Sequence, residues 1–453
     1  MSPANFLRDV TRAAKGLIAV GVDAGDRVVL ACGTDYDSVV LVFASWTVRA
    51  VVVPVPPSAP VEQFTRILAD SHPAAVVVET RAHAETVTAV RPGLRSLLRA
   101  WNLGPAEQGR DGKRDRLQDV AAPGMYMAAT AVALRRADAS PHDPAAVIYP
   151  AENGKNPAVA LTHGNLLASA QGQLRRLRPL AAENPVHDGA LFPLPLNGWT
   201  SLSLLAALVS WGVPLGFPAR GTPLMDAVEI YSPGLLIANG THLKHVFEAE
   251  HAYETGKAEK PGWDNLNAFN AAVEHAVLFG RGGRRGLWRT ISHSMHAWLY
   301  ARMRERLGGR VRLILCPGRV PDDLSYFFTG AGMPVVQYFG FTACSGPLGL
   351  EITGTCAPGT MGRLVPGMKV RFTPGGVMEA GGPAVASSYW RAPRESGAVF
   401  RDGWFTTGVA GALTPAGTLV LRGRPSAPTA PEPKRPTPRR ASRGSDGAPS
   451  GEE

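Results

Sequence analysis

Three observations predict an α/β fold with a small antiparallel appendage. In the first 80 residues, helices with apolar faces alternate with short, uniformly apolar, β-branched strands. The same style returns over residues 186–340. From about Pro358 the texture changes to short segments between Gly and Pro turns, as in GTMGRLVPGMKVRF and GGVMEAGG. Strands that are apolar on both faces need covering on both faces, and parallel sheets flanked by helices supply that cover. Short strands between turn residues suit an antiparallel β unit.

Phe6–Val20 carries apolar residues at helical spacing (Leu7, Val10, Ala14, Leu17, Ile18), with Gly21 as a stop and a turn at Gly25-Asp26. Arg27–Ala31 reads as a strand and Tyr36–Arg49 as a second helix. Ala50–Val55 is the next strand, ended by Pro56-Pro57. Val61–Ser71 and Ala74–Val78 complete the first run. Residues 98–141 are polar and less regular. Ala145–Tyr149 reads as a buried strand that leads through a loop to a helix from Asn165. Further strands are expected near Leu235–Ala238, Arg312–Leu315 and Val335–Tyr338. No internal repeat is present.

Composition narrows the class. Of 453 residues, 45% are apolar and 19% charged, which excludes a wholly disordered chain. Lys+Arg total 47 and Asp+Glu 37, a net charge of +10. That permits contact with nucleotides, lipid head groups or nucleic acid and selects none of them. Cys32, Cys316, Cys344 and Cys356 are too scattered for a disulfide framework or a CxxC site. They read as reduced thiols of a cytoplasmic protein. The N-terminus carries Arg8 and Asp9 where a signal peptide needs an apolar core. Gly189–Ala219 has no charged residue, but Pro193, Pro195, Asn197 and Pro214 interrupt it. The unbroken part, about Trp199 to Trp211, rises only about 20 Å, short of a ~30 Å hydrocarbon core. A buried helix is the expectation, with no transmembrane segment. Residues 425–453 hold seven prolines, no aromatic and no aliphatic larger than Ala. This Pro/Arg-rich tail is expected to be disordered.

Several blocks carry a family resemblance. They are GLIAVGVDAGDRVVL, FASWTVRAVVVPVPPS, VIYPAENGKNPAVALTHGNLLAS, RLILCPGRVPDDLSYFFTGAGMPVVQYFGFTACSG, GTMGRLVPGMKVRF, FRDGWFTTGVAG and LRGR. In this order they resemble the adenylate-forming (AMP-dependent synthetase/ligase) superfamily of acyl-CoA synthetases. The insertion between Leu243 and Leu307 is most similar to that of bacterial long-chain fatty acyl-CoA ligases. The resemblance implies the large N-terminal AMP-binding domain over 1–424, with subdomains about 1–185, 186–357 and 358–424. Two of these are α/β and the third is a small β unit. The family's C-terminal lid domain, which carries a catalytic Lys, is expected to be absent, since 29 residues follow Arg424.

The family joins a carboxylate to ATP with Mg²⁺ and passes the acyl group to CoA. Several residues that this needs are changed here. The phosphate loop, Pro150–Ala158, has Gly154 and Lys155 but no hydroxyl, and Pro150 and Pro157 offer no N–H. Glu152 would face the triphosphate. Like charges at ~4 Å cost about 1 kcal/mol in water and about 4 at an effective dielectric of 20. An ordinary strand-to-helix loop is the competing reading. In the block Phe339-Gly340-Phe341-Thr342-Ala343, Phe339 can stack on adenine and Thr342 can offer a hydroxyl, and Gly318 belongs to the same nucleotide side. Equally, Phe339 can be a core aromatic. Ala343 stands where the family has its Mg²⁺-binding Glu, and a methyl group cannot ligate a hard cation. Val409 replaces the ribose-binding Asp, while Asp402 reads as a turn residue before Gly403. Arg424 matches the family's hinge Arg and can reach a ribose or simply face solvent. The Pro-Leu block offers Leu196, Asn197 and Trp199 in place of the family's His or aromatic.

Other features are weaker. His242/His245 and His293/His296 have helical spacing but no third metal ligand. Arg281, Arg284, Arg285 and Arg289 with Trp288, then Arg302, Arg304 and Arg306, form a basic stretch. It can be a solvated face or a peripheral contact with anionic lipid or CoA. Lys434, Arg435, Arg439, Arg440 and Arg443 come without a base-reading module, so no specific nucleic-acid partner is expected. The expectation is therefore a degenerate homologue, catalytically silent or dependent on a lid from a protein partner. It would retain at most weak nucleotide or acyl binding at Gly154, Lys155, Gly318, Phe339, Gly340, Thr342 and Arg424. The alternative is an active acyl-CoA or acyl-AMP ligase with an altered site, using ATP or AMP, Mg²⁺ and CoA.

Overall fold

The computed structural model describes residues 2–104, 116–150, 157–184, 188–219, 222–257, 264–282 and 295–423. Helix α1 (Pro3–Ala19) starts three residues before the expected position. Ser2 caps it through Asn5 N, and Pro3 sits at the first turn, where its missing N–H costs nothing. Strand β1 (Arg27–Ala31), helix α2 (Tyr36–Thr47), strand β2 (Val51–Pro54), helix α3 (Val61–Ser71) and strand β3 (Ala75–Val78) follow as read from the sequence. The stretch expected to be irregular holds β4 (Arg99–Asn102), α5 (Arg116–Ala121) and α6 (Ala129–Ala137), after α4 (Arg81–Val90). Strands β5 (Pro144–Ile148) and β6 (Val159–Thr162) close the first sheet. Its order is β4-β3-β1-β2-β5-β6, parallel except for β6.

Helix α7 (His163–Glu183) begins in a capping box between Thr162 and Asn165. The Asn165 amide also donates to the carbonyls of Pro383 and Val385, tying this helix start to the C-terminal β region. The uncharged stretch forms β7 (Ala190–Leu191), the buried helix α8 (Ser201–Trp211) and β8 (Leu215–Gly216). Among the described residues, no helix is long and apolar enough to cross a membrane. Next come α9 (Leu224–Tyr231), β9 (Leu235–Ile237), α10 (Gly240–Lys257), α11 (Asp264–Gly280) and α12 (Ala297–Arg306). Strand β10 (Leu313–Pro317), helix α13 (Asp322–Gly330), strand β11 (Val335–Phe341), strand β12 (Gly346–Ile352) and strand β13 (Arg363–Leu364) complete the second sheet. Its order is β13-β12-β11-β10-β9-β7-β8, with β12 and β13 antiparallel.

The C-terminal region is antiparallel, as its turns predict. It comprises β14 (Lys369–Phe372), β15 (Val377–Gly381), α14 (Pro393–Val399), β16 (Phe400–Arg401), β17 (Trp404–Leu413) and β18 (Leu419–Gly423). Asp402 and Gly403 form the two-residue turn between β16 and β17, with φ of +51° and +78°. Both in the left-handed region is the signature of a type I′ hairpin, so Asp402 is a turn residue as expected.

Alternating strand residues divide the core. Val28, Leu30, Val52 and Val77 face the same cluster as Leu235, Ile237, Leu315 and Val336, so one core joins the first and second sheets. Val29, Val51 and Val76 pack under α3 and α4 on the far face of the first sheet. Leu236, Ile314, Cys316 and Val335 pack under α10–α13 on the far face of the second. Each such side chain contributes roughly 1.5–3 kcal/mol of burial. This double cover is why the strand segments carry no polar alternation.

Candidate functional site

In open parallel sheets, ligand sites form beyond the carboxyl ends of the strands. A cavity of about 190 Å³ lies there on the second sheet, at the ends of β10 and β11. Gly318 and Arg319 leave β10, and Gln337, Phe339 and Gly340 come from β11. Trp199 covers it from the turn before α8, and Glu351 and Met361 close the far side. Gly318 has φ of +117°, and a Cβ there would meet nothing within 4 Å. Glycine therefore leaves an open strip of backbone facing the cavity. At Gly340 the reason for glycine is different. A Cβ would lie 2.3 Å from the Gly346 carbonyl oxygen and 2.7 Å from the Trp199 ring. Gly340 lets Trp199 and β12 approach.

Phe339 is half-buried and packs edge-on against Phe341 at 5.3 Å. The structure thus brings Gly318, Phe339 and Gly340 together around one space. Thr342 begins a 3-10 turn, Thr342–Cys344, and lies outside the cavity lining. Gly154, Lys155 and Arg424 lie outside the described residues, as do Glu152 and the tail. The flanks of the phosphate loop, Pro150 and Pro157, line a separate cavity of about 270 Å³ with Asp70, Tyr149, Trp390 and Arg391. There Tyr149 Oη donates to Asp70 Oδ2 at 2.5 Å.

Sequence reasoning missed Gln337 and Glu351. Val320 N donates to Gln337 Oε1 at 2.7 Å, and Gln337 Nε2 donates to Glu351 Oε2 at 3.4 Å. The two residues are cross-strand partners on β11 and β12. Glu351 is 5% exposed. Burial pushes its carboxyl up to about 7; Arg319 opposes this and Asp322 adds to it. Arg319 Nη2 is itself held by Asp322 Oδ1 at 2.9 Å. Tyr338 also lines the cavity, and among the described residues its buried hydroxyl has no hydrogen-bond partner.

The positions of the family's acidic groups are different in kind. Ala343 is 2% exposed and belongs to the core, with its carbonyl accepting from Ala386 N at 2.7 Å. Val409 is half-buried on β17, its N–H held by Thr407 Oγ1. Among the described residues, no three His, Cys, Asp or Glu side chains are grouped to hold a metal. Among the described residues, Glu351 is the single carboxylate of the cavity lining, and one carboxylate beside a guanidinium does not make a Mg²⁺ site. The residues present do not fit the ion. Cys344 is fully buried, and burial pushes its thiol up to about 12. It is inert as a nucleophile.

Other sequence candidates have structural uses. Arg302 and Arg306 pair with the buried Glu250, and Arg304 donates to the Ala331 carbonyl at 2.8 Å. These three cations are engaged within the protein rather than forming a free solvated face. Arg281 pairs with Asp323 at 3.2 Å, and Arg284, Arg285, Trp288 and Arg289 lie outside the described residues. The His242 ring accepts from Asn239 N at the start of α10. His296 stacks on His275 with ring centres 5.0 Å apart, and His293 is outside the described residues. A larger cavity, about 600 Å³, opens between α9, α10 and α12 and is lined by Asp226, Glu229, His245 and Glu305. It has no aromatic wall and no grouped metal ligands.

This geometry agrees with what the chain resembles. Residues 1–390 match the family model described as AMP-binding enzyme. The chain is 30% identical over 428 residues to the long-chain-fatty-acid–CoA ligase FadD15 of Mycobacterium bovis, covering 93% of this chain and 69% of that one. It is 26% identical over 425 residues to a feruloyl-CoA synthase of an Amycolatopsis species, covering 89% and 70%. Among solved structures, the inhibitor-bound N-terminal domain of FACL13 from Mycobacterium tuberculosis superposes with a TM-score of 0.68 at 19% identity, covering 94% of this chain and 92% of that one. ATP-bound MatB from Rhodopseudomonas palustris gives 0.66 at 20% identity, covering 94% and 73%. The chain belongs to the AMP-binding enzyme family of adenylate-forming ligases. Its fold is that of the acyl-CoA synthetase N-terminal domain.

Proposed function

We propose that this chain binds an adenine nucleotide in the cavity at Gly318 and Phe339 but does not itself form acyl adenylates. One contrast carries the reading. The cavity keeps an aromatic wall and an open backbone strip, while the family's Mg²⁺ position is Ala343, sealed in the core. Val409, in place of the ribose carboxylate, and a phosphate loop without hydroxyls support it. Without ligands for Mg²⁺, the charge that develops on the transferring phosphates is not neutralised, and that electrostatic contribution is normally among the largest in catalysis. The cavity volume is below the ~300–1,000 Å³ of drug-sized ligand sites and suits one ring system. An acyl ligand, of the class in the relatives' names, would have to lie elsewhere. The test is ATP–pyrophosphate exchange with Mg²⁺ and a panel of fatty acids. No exchange above the enzyme-free control is expected. Exchange with any fatty acid would replace this reading with an active ligase.

A further inference from the structure

We infer that Glu351 reads the edge of an adenine base bound in this cavity. The inference rests on the nucleotide reading above. The cavity has the parts of a base slot. Phe339 offers a ring face, Gly318 an open backbone strip, and Gln337 with Glu351 a polar end. The Gln337 amide is already committed, through Oε1 to Val320 N and through Nε2 to Glu351. Glu351 is less satisfied. Its one hydrogen bond is at the long limit, 3.4 Å, and its Oε1 has no partner among the described residues. Glu351 lines the cavity, so this oxygen is open to a complementary group that enters it.

The protonation state decides which base fits. A neutral carboxyl presents one donor and one acceptor side by side. Adenine presents the matching pair, the N1 acceptor and the N6–H donor. An ionised carboxyl presents two acceptors. It opposes adenine N1 and suits the N1–H and N2–H donors of guanine instead. Burial of Glu351 favours the neutral form. The charged and titratable groups around it are few. Arg319 favours ionisation and Asp322 opposes it. Tyr326 on α13 lies near enough to feel Glu351, with Arg281 over its ring. On β13, Arg363 stands opposite Leu350, one register position away.

The test is titration calorimetry of AMP and GMP with the full chain and with E351Q, at pH 6 and pH 8. Gln cannot ionise, yet it keeps one donor and one acceptor at this position. The AMP phosphate titrates near pH ~6 for both proteins, so the quantity read is the ratio of their affinities. A carboxyl that titrates near pH 7 is roughly nine-tenths neutral at pH 6 and one-tenth neutral at pH 8. Apparent affinity scales with the competent fraction, so wild-type AMP binding should weaken by about tenfold relative to E351Q over this range. AMP should bind more tightly than GMP at pH 6, and this preference should narrow at pH 8 in the wild type alone. An unchanged ratio with AMP still bound would overturn the role of Glu351 and leave the nucleotide reading standing. No AMP binding by either protein at either pH would overturn both. A Glu351 that only supports packing would shift the melting temperature of E351Q without altering the pH dependence of the ratio.

Discussion

On the base side of the candidate site, Gly318, Gln337, Phe339 and Glu351 still surround a cavity with polar groups at one end. At the metal and ribose positions, Ala343 is packed into the core that joins the two sheets, and Val409 sits in a strand held by its neighbours. The two sides of one site have therefore changed in different ways. Apolar residues at the metal and ribose positions remove the cost of holding charge in a buried place. The base side keeps buried polar groups, and such groups cost stability unless something pairs with them. On the proposed reading, the difference separates recognising a nucleotide from stabilising charge on its phosphates.

The strongest way to break this contrast is to return the acid. Ala343→Glu would place a carboxylate at a position that is 2% exposed, with no cation paired to it. An uncompensated buried charge typically costs about 3–5 kcal/mol. Denaturant unfolding should show a loss of that size, with no gain of Mg²⁺-dependent ATP binding. A variant that unfolds like the wild type and binds ATP more tightly with Mg²⁺ would show that position 343 still belongs to the site.

A second test uses the pH dependence of stability. The Glu351 carboxyl is raised from an ordinary 4.5 to about 7 in the folded protein. Between these values the folded state holds a proton that the unfolded chain has released. Stability must therefore fall as pH rises from about 4.5 to 7, and this slope should be missing in E351Q. At ~1.4 kcal/mol per pKa unit, the rise from 4.5 to about 7 amounts to roughly 3 kcal/mol. Parallel stability curves for the two proteins would mean that Glu351 is solvated, and the base side would lose its buried acid.

Legibility in the sequence followed the same division. Strand β1 and helix α3 were read to the residue, because Gly25-Asp26 and the Pro-rich turn before Val61 punctuate strong apolar patterns. Apolar spacing places the start of α1 three residues late, at Phe6, because the cap formed by Ser2 and Pro3 precedes the first large apolar residue of the helix. Strand β12 was missed outright. Its sequence, GPLGLEI, holds two glycines and a proline, which signal a loop unless a partner strand overrides them. Missing β12 meant missing Glu351, since only antiparallel pairing sets it beside Gln337. No motif carries that juxtaposition. Likewise, the Arg-rich helix looked like a solvated or lipid-facing surface, because its partner, Glu250, lies 52 residues or more away on another helix. Phe339, by contrast, stands with Ala343 in a block that carries the family resemblance, and Val409 stands in another, so the sequence alone draws attention to all three.

Phe339→Ala sharpens the comparison with the smallest expected effect on the fold. The ring is half-buried and touches Phe341 edge-on. Its loss should cost less than the ~3–5 kcal/mol typical of emptying a fully buried aromatic site. Binding should respond more specifically. A base stacked on an aromatic side chain gains about 1–3 kcal/mol by alanine substitution, and each ~1.4 kcal/mol is tenfold in affinity. AMP affinity measured by calorimetry should fall by roughly that amount, with GMP affected alike, since every base has a ring face. Stacking and edge recognition are then separable. Phe339→Ala lowers binding of both nucleotides without changing the pH dependence, whereas E351Q changes the pH dependence and keeps the stack. If Phe339→Ala lowered stability while AMP affinity stayed unchanged, the ring would be a core aromatic, and the base side would be as silent as the metal and ribose positions.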